Sequence, residues 1–157
     1  MSESQKKQAT IMALRLLAAT PKSRTELAGK LKRKGYDGHV IQETLDDLEA
    51  QGIVNDRVFA QDLTARFTQT RPSGRKKIQF ELKKHAVPEK ILEELVGAIT
   101  PEAEAERARE LARERWSRFE RLPELKRKKK VYDFLIRRGF DFQITRDVIE
   151  GLETQSD

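Results

Sequence analysis

The stretch FLIRRGFDF, Phe134 to Phe142, has a near paraphrase much earlier in the chain, GKLKRKGYDG at Gly29 to Gly38. Placing Leu31, Leu82 and Leu135 in one column brings three segments into register, 51 and 53 residues apart. Gly35 then meets Ala86 and Gly139, and Tyr36 meets Val87 and Phe140. Further along, Leu45 meets Val96 and Ile149, and Leu48 meets Ile99 and Leu152. Self-similarity at a fixed period is the signature of a repeat architecture, in which each unit is one supersecondary element. The glycine fits a helix C-terminus, where it takes a left-handed backbone conformation while the next apolar residue packs back on the last turn. In the middle unit the sequence offers Ala86, so that cap must form without glycine.

Each unit carries three helix signals and no alternating strand pattern competes with them. In the first, Ile11, Leu14, Leu17 and Ala18 mark a stripe ended by Pro21. Ser23 and Glu26 have the spacing of a capping box, Leu27 and Leu31 follow on the buried face, and Val40, Ile41, Leu45 and Leu48 mark a third helix that Gly52 can end. The second unit opens on the N-cap pair Asn55-Asp56, followed by Phe59, Leu63 and Phe67, then Ile78 with Leu82, then Ile91, Leu92, Leu95 and Ile99. The third opens on Thr100-Pro101 with glutamates behind it, and Ala108, Leu111, Ala112, Trp116 and Phe119 supply its first stripe. The expectation is an all-α fold of three tandem three-helix repeats, residues 8–53, 54–99 and 100–153, arranged as an elongated, curved array, with flexible tails at 1–7 and 154–157.

Charge repeats along with the helices. The chain has 157 residues, 37% of them charged, and a net charge of +6, which points towards phosphates or acidic protein surfaces as partners. The basic positions expected to face such a partner in the first unit are Arg24, Lys30, Lys32, Arg33 and Lys34. In the second they are Arg66, Arg71, Arg75, Lys76, Lys77, Lys83 and Lys84, with Phe80 among them. In the third they are Lys126, Lys129, Lys130, Arg137 and Arg138. Third helices have the opposite sign, as in Asp37, Glu43, Asp46, Asp47 and Glu49. Two readings stay open: the basic second helices neutralise the acidic third helices, or they form a ridge that tracks a polyanion. Phe80 lies about 200° around the helix from Ile78 and from Leu82, so it is either a packing residue against a neighbouring helix or an exposed aromatic among cations.

Several chemistries are disfavoured. The chain has no cysteine, hence no disulfide, thiol nucleophile or thiolate metal site. His39 and His85 lie in different units without metal-ligand spacing, and TRPSGRKK lacks the spacing of a phosphate-binding loop. Neighbouring carboxylates such as Asp46 and Asp47 point apart on a helix and read as solvated. Neither an enzyme nor a cofactor or metal is implied. The N-terminus lacks an apolar signal core and no apolar run reaches the ~20 residues that span a bilayer, so a cytoplasmic protein is expected.

At NDRVFA, Asn55 to Ala60, followed by Arg66, Gly74, Ile78 and the pair Glu81-Leu82, the sequence resembles the RecX regulatory proteins. The flanking RTEL, KGY and FLIRRGF segments extend the likeness from Ile11 to Leu152. Asn55 stands where the family has an acid, and KHAV at Lys84 to Val87 replaces a lysine-glycine-isoleucine turn. The resemblance implies a protein that binds the RecA recombinase filament on DNA and suppresses its ATPase, strand-exchange and coprotease activities. It also implies contact with single-stranded DNA, with double-stranded DNA as a further candidate, by a monomer. A helix-turn-helix-like transcription regulator and a scaffold that recognises only protein are the competing classes, though acidic third helices make poor major-groove readers.

Overall fold

A computed structural model of the chain describes residues 2–155, and among these it contains no strand. The helices are α1 (Ser2–Ala19), α2 (Arg24–Arg33), α3 (Gly38–Ala50), α4 (Asp56–Ala65), α5 (Arg75–Lys84), α6 (Glu89–Gly97), α7 (Pro101–Arg118), α8 (Glu124–Arg137) and α9 (Phe142–Gln155). A π-helical turn, Arg66–Thr70, runs on from α4 and places Phe67 in the interior. The fold is all-α, as the periodicity indicates.

The start signals work as read. Ser23 and Glu26 form a complete capping box, each side chain meeting the other's backbone amide at 3.2 Å. Thr100 accepts from the Ala103 amide at 3.1 Å ahead of Pro101, and Asn55 caps α4 through the Val58 amide at 3.1 Å. Asp56, its partner in the expected cap pair, does something else: its carboxylate accepts from the backbone amide of Arg24, 2.7 Å away at the start of α2.

The stop signals also recur. Tyr36 N–H bonds Leu31 O at 3.2 Å and Gly35 N–H bonds Lys32 O at 3.0 Å, the paired bonds of a Schellman cap. Phe140 with Leu135 and Gly139 with Ile136 repeat them at 3.1 and 3.0 Å. Val87 with Leu82 and Ala86 with Lys83 do so at 3.1 and 2.9 Å, and Ala86 accepts the left-handed conformation at φ 58° that glycine holds elsewhere. The cap without glycine therefore forms, with a methyl group in a region that L-residues enter only at a cost of about 1–2 kcal/mol.

The chain divides into two compact units. One gathers everything up to Asp62 with Leu82–Leu92; the other gathers Leu63–Glu81 with everything from Glu93 onward. Helices α4, α5 and α6 each contribute to both. In the N-terminal unit, α1, α2 and α3 pack on one another around Ala13, Leu27, Leu31, Ile41, Leu45, Leu48 and Val54, with Tyr36 folded back against them. In the C-terminal unit, α7, α8 and α9 enclose Ala108, Ala112, Val131, Phe134, Leu135, Phe140, Val148, Ile149 and Leu152.

Two expectations about the N-terminus are corrected. Helix α1 begins at Ser2, so most of the stretch 1–7 set aside as a tail is helical, with Lys6 paired to Asp47 of α3 at 2.6 Å. Nor does α1 bury the stripe Ile11, Leu14, Leu17 and Ala18. Ile11 and Leu14 are exposed, while Ala9 and Ala13 are buried outright. Alanines four apart let helix axes approach closely, and that packing outweighs the larger apolar area of isoleucine and leucine. At the other end α9 runs on to Gln155, into the stretch expected as a tail, whose last two positions lie outside the described residues.

Candidate polyanion interface

The repeated turn is a docking point as well as a helix stop. In the C-terminal unit the first turn of α5 lies against the turn between α8 and α9. Gly74 N–H donates to Arg138 O at 2.7 Å and Lys76 N–H to Gly139 O at 3.2 Å, which satisfies two amides left free at the start of α5. The two backbones are so close that a Cβ on Gly74 would sit 2.3 Å from Gly139 O, and one on Gly139 would sit 2.4 Å from Lys77 N. A third amide at this helix start, Arg75 N–H, donates to the buried carboxylate of Glu104 on α7 at 2.6 Å.

The N-terminal unit repeats the arrangement one register earlier. Ser23, at the position equivalent to Gly74, donates through Oγ to His85 O at 2.6 Å, and His85 is the equivalent of Arg138. Arg24 N–H meets Asp56 as Arg75 N–H meets Glu104. Serine bridges with a side chain where glycine brings the backbone itself. The side chain of His85 packs beside Glu26, with Nδ1 3.0 Å from Oε2, and edge-on to Phe59 at 5.6 Å. His39 faces Glu43 at 3.0 Å. Among the described residues no group of histidines and carboxylates is arranged to hold a metal, and no helix is long and apolar enough to cross a membrane.

Docking α5 in this way sets out a cationic and aromatic surface on the C-terminal unit. Phe80 is 57% exposed and Phe142 54% exposed, far from the burial usual for phenylalanine. Lys77 Nζ lies 5.2 Å from the Phe80 ring centroid and Lys76 Nζ lies 5.1 Å from that of Phe142. Lys76 and Phe80 are one turn apart on α5, so the two rings and two ammonium groups belong to one patch. Of the two readings open for Phe80, the exposed aromatic among cations is the observed one. Lys77 is also held by Glu81 at 3.0 Å, while Arg66, Arg71, Arg75 and Lys76 are exposed. Arg138 is committed inward: it donates to Pro72 O at 2.8 Å and lies 4.9 Å from the Phe134 centroid. Burial, then the nearby guanidiniums of Arg71 and Arg115, hold its pKa below the ordinary arginine range.

Across α7 and α8, Lys126, Lys129, Lys130 and Arg137 line a groove together with Asp133, Phe134, Arg115 and Phe119. Lys83 and Lys84 are exposed in the last turn of α5. Of the first-unit positions, Lys30, Lys32, Arg33 and Lys34 are exposed around the C-terminus of α2, where they also complement the helix dipole. Arg24 is different. Its guanidinium reaches Asp46 at 2.7 Å, Gln42 at 3.0 Å and Glu49 of α3. Burial works against its charge, but the two carboxylates outweigh it and raise its pKa. Neutralisation of the acidic third helix thus describes Arg24 alone among these first-unit positions, and an outward-facing cationic surface describes the C-terminal unit. Sequence reasoning missed Phe142, Arg115 and Phe119 on that surface. Phe142 was signalled only by an aromatic placed at a helix start, and Arg115 by the dense arginines of α7.

Known proteins supply the remaining evidence. The model for the first three-helix domain of RecX matches residues 9–48, and that for the third three-helix domain of RecX matches residues 102–149. The Regulatory protein RecX of Chlorobaculum tepidum is 35% identical over 150 residues, covering 96% of this chain and 91% of its own. That of Chlorobium limicola is 34% identical over 152 residues, with 97% and 94% covered. The crystal structure of RecX from Lactobacillus salivarius superposes with a TM-score of 0.82 at 22% identity, over 97% of this chain and 99% of that one.

Proposed function

This chain belongs to the RecX family, and on that premise we propose that it binds the filament a RecA recombinase forms on DNA and slows the filament's ATP hydrolysis, strand exchange and coprotease activity. It acts by binding, without catalysis of its own, in homologous recombination and the cytoplasmic SOS response to DNA damage. The observation that carries the reading is the exposed patch of Phe80 and Phe142 with Lys77 and Lys76 over their rings. Exposed aromatics flanked by cations are what anchor to protein pockets or stack on bases, and lysines beside them reach phosphates.

A nucleoprotein filament presents both chemistries at once. Phosphates attract the lysine and arginine positions of α5 and α8, while acidic positions such as Glu89 and Glu93 of α6, both exposed, oppose simple coating of naked DNA. The filament is therefore the tight ligand and free DNA the weak one. Binding measured against single-stranded DNA, duplex DNA, recombinase alone and recombinase on DNA tests this. The expected order places the assembled filament first. Equal affinity for duplex DNA and filament would instead indicate a DNA-binding regulator.

A further inference from the structure

The groove between α7 and α8 has a volume of about 460 Å³, within the range of pockets that hold small ligands. One stripe of α8 forms most of its wall, at positions three and four apart. Lys126, Lys129, Lys130 and Arg137 give that stripe its charge, and none of them holds a carboxylate among the described residues. From α7, Arg115 lies with its guanidinium carbon 4.1 Å from the Phe134 centroid, a stacking distance, and Phe119 lies under Lys130 at 5.4 Å. A single acid, half-buried Asp133, lies among these cations.

We propose that this groove holds one unstacked nucleotide of a single strand, its base against the outer face of the Arg115 guanidinium and its phosphates against the α8 lysines. The inference rests on the reading that nucleic acid is one of the partners, and it adds a base-reading element to it. Five cations against one carboxylate select a polyanion. A guanidinium held at stacking distance from an aromatic ring is pre-positioned to stack on a base as well, as arginine does in single-strand recognition. A duplex presents no free base face to such a shelf. Asp133, an acceptor only, fits the exocyclic amine of cytosine and not the carbonyl that thymine carries at the same position.

The same face of α5 carries Lys76, Lys77 and Phe80 at the positions of Lys129, Lys130 and Asp133. The equivalent face of α2 carries Thr25, Glu26 and Gly29. Only the third triplet thus puts an acid at the base-reading position.

Fluorescence anisotropy of the full chain with labelled ten-nucleotide oligo-dC and oligo-dT tests this. The expected result is about fivefold tighter binding of oligo-dC, lost in Asp133→Asn, and a loss of about tenfold for both strands in Arg115→Lys with an unchanged salt slope. Lys129→Gln with Lys130→Gln should lower the log–log salt slope by about 1.4, the single-strand value for two phosphates. No dC preference, or Arg115→Lys binding as wild type does, overturns the assignment. So does displacement of the strand by equimolar dCMP, which would make the site one for free nucleotides, or by equimolar polyglutamate, which would make it one for an acidic protein segment. Should Arg115→Lys fail to fold, photocrosslinking of wild type with a 5-iododeoxycytidine strand decides: adducts at Phe119 and its neighbours support the groove, and adducts confined to α5 overturn it. A filament reading that fails on its own shows instead as unaltered ATP hydrolysis by wild type while the dC preference persists.

Discussion

Three caps of the same form sit in three different surroundings, and substitutions at them separate backbone conformation from docking. Gly35 has φ 96° with nothing within 4 Å of an added Cβ, so Gly35→Ala should cost only the left-handed penalty, about 1–2 kcal/mol. Gly139 has φ 83°, and its Cβ would lie 2.4 Å from Lys77 N and 2.5 Å from Lys77 Cβ. These atoms are held by the α5 backbone and cannot rotate away, so an overpacking cost of about 1–3 kcal/mol adds to the conformational one. If α5 shifts to relieve the clash, the bonds from Gly74 to Arg138 O and from Lys76 to Gly139 O weaken too, at about 1 kcal/mol each. Gly139→Ala should therefore destabilise by about 2–5 kcal/mol, and by up to about 7 if both bonds are lost, a large fraction of the 5–15 kcal/mol typical of a domain. Ala86→Gly should go the other way and gain about 1 kcal/mol by releasing the strain at φ 58°. Urea unfolding followed by the single tryptophan, Trp116, reads the C-terminal unit directly, and its midpoint should fall by about 2 M in Gly139→Ala for an ordinary urea dependence. Far-ultraviolet circular dichroism follows Gly35→Ala. Equal destabilisation by the two glycine substitutions would refute the docked turn.

Phe80→Ala should change stability by no more than about 0.5 kcal/mol, as expected of an exposed site, yet weaken filament binding at least about tenfold; thermal melting and a pull-down titration read the two effects separately. Lys76→Gln with Lys77→Gln should reduce the log–log salt slope of duplex-dependent binding by about 2, as measured by anisotropy at several salt concentrations. Asp56→Ala removes the acceptor at the start of α2 and should cost about 1–2 kcal/mol in chemical denaturation, with a comparable loss for Ser23→Ala.

Local signals carried through to the structure because their physics is local. A capping box, an N1 proline and a left-handed C-cap each involve residues within six positions, and all of them formed where the residues called for them. Contacts between helices distant in sequence were less legible. That Gly74 must be glycine because Gly139 lies against it, and that Asp56 and Glu104 cap helices other than their own, depends on partners 65, 32 and 29 residues away in the chain. The α1 face was misread for a related reason, since size ranks isoleucine above alanine while axis separation reverses the order. At the candidate site, charge repetition did not separate Arg24 and Arg138, which are spent on internal partners, from Lys76, Lys129 and Lys130, which face outward.

The most direct measurement is steady-state ATP hydrolysis by a RecA recombinase on single-stranded DNA while this protein is titrated in. Inhibition of hydrolysis should set in at concentrations well below those that saturate the DNA, and the double change Phe80→Ala with Phe142→Ala should shift it to higher concentrations. Hydrolysis and filament lifetime that stay constant up to saturating protein would contradict the account.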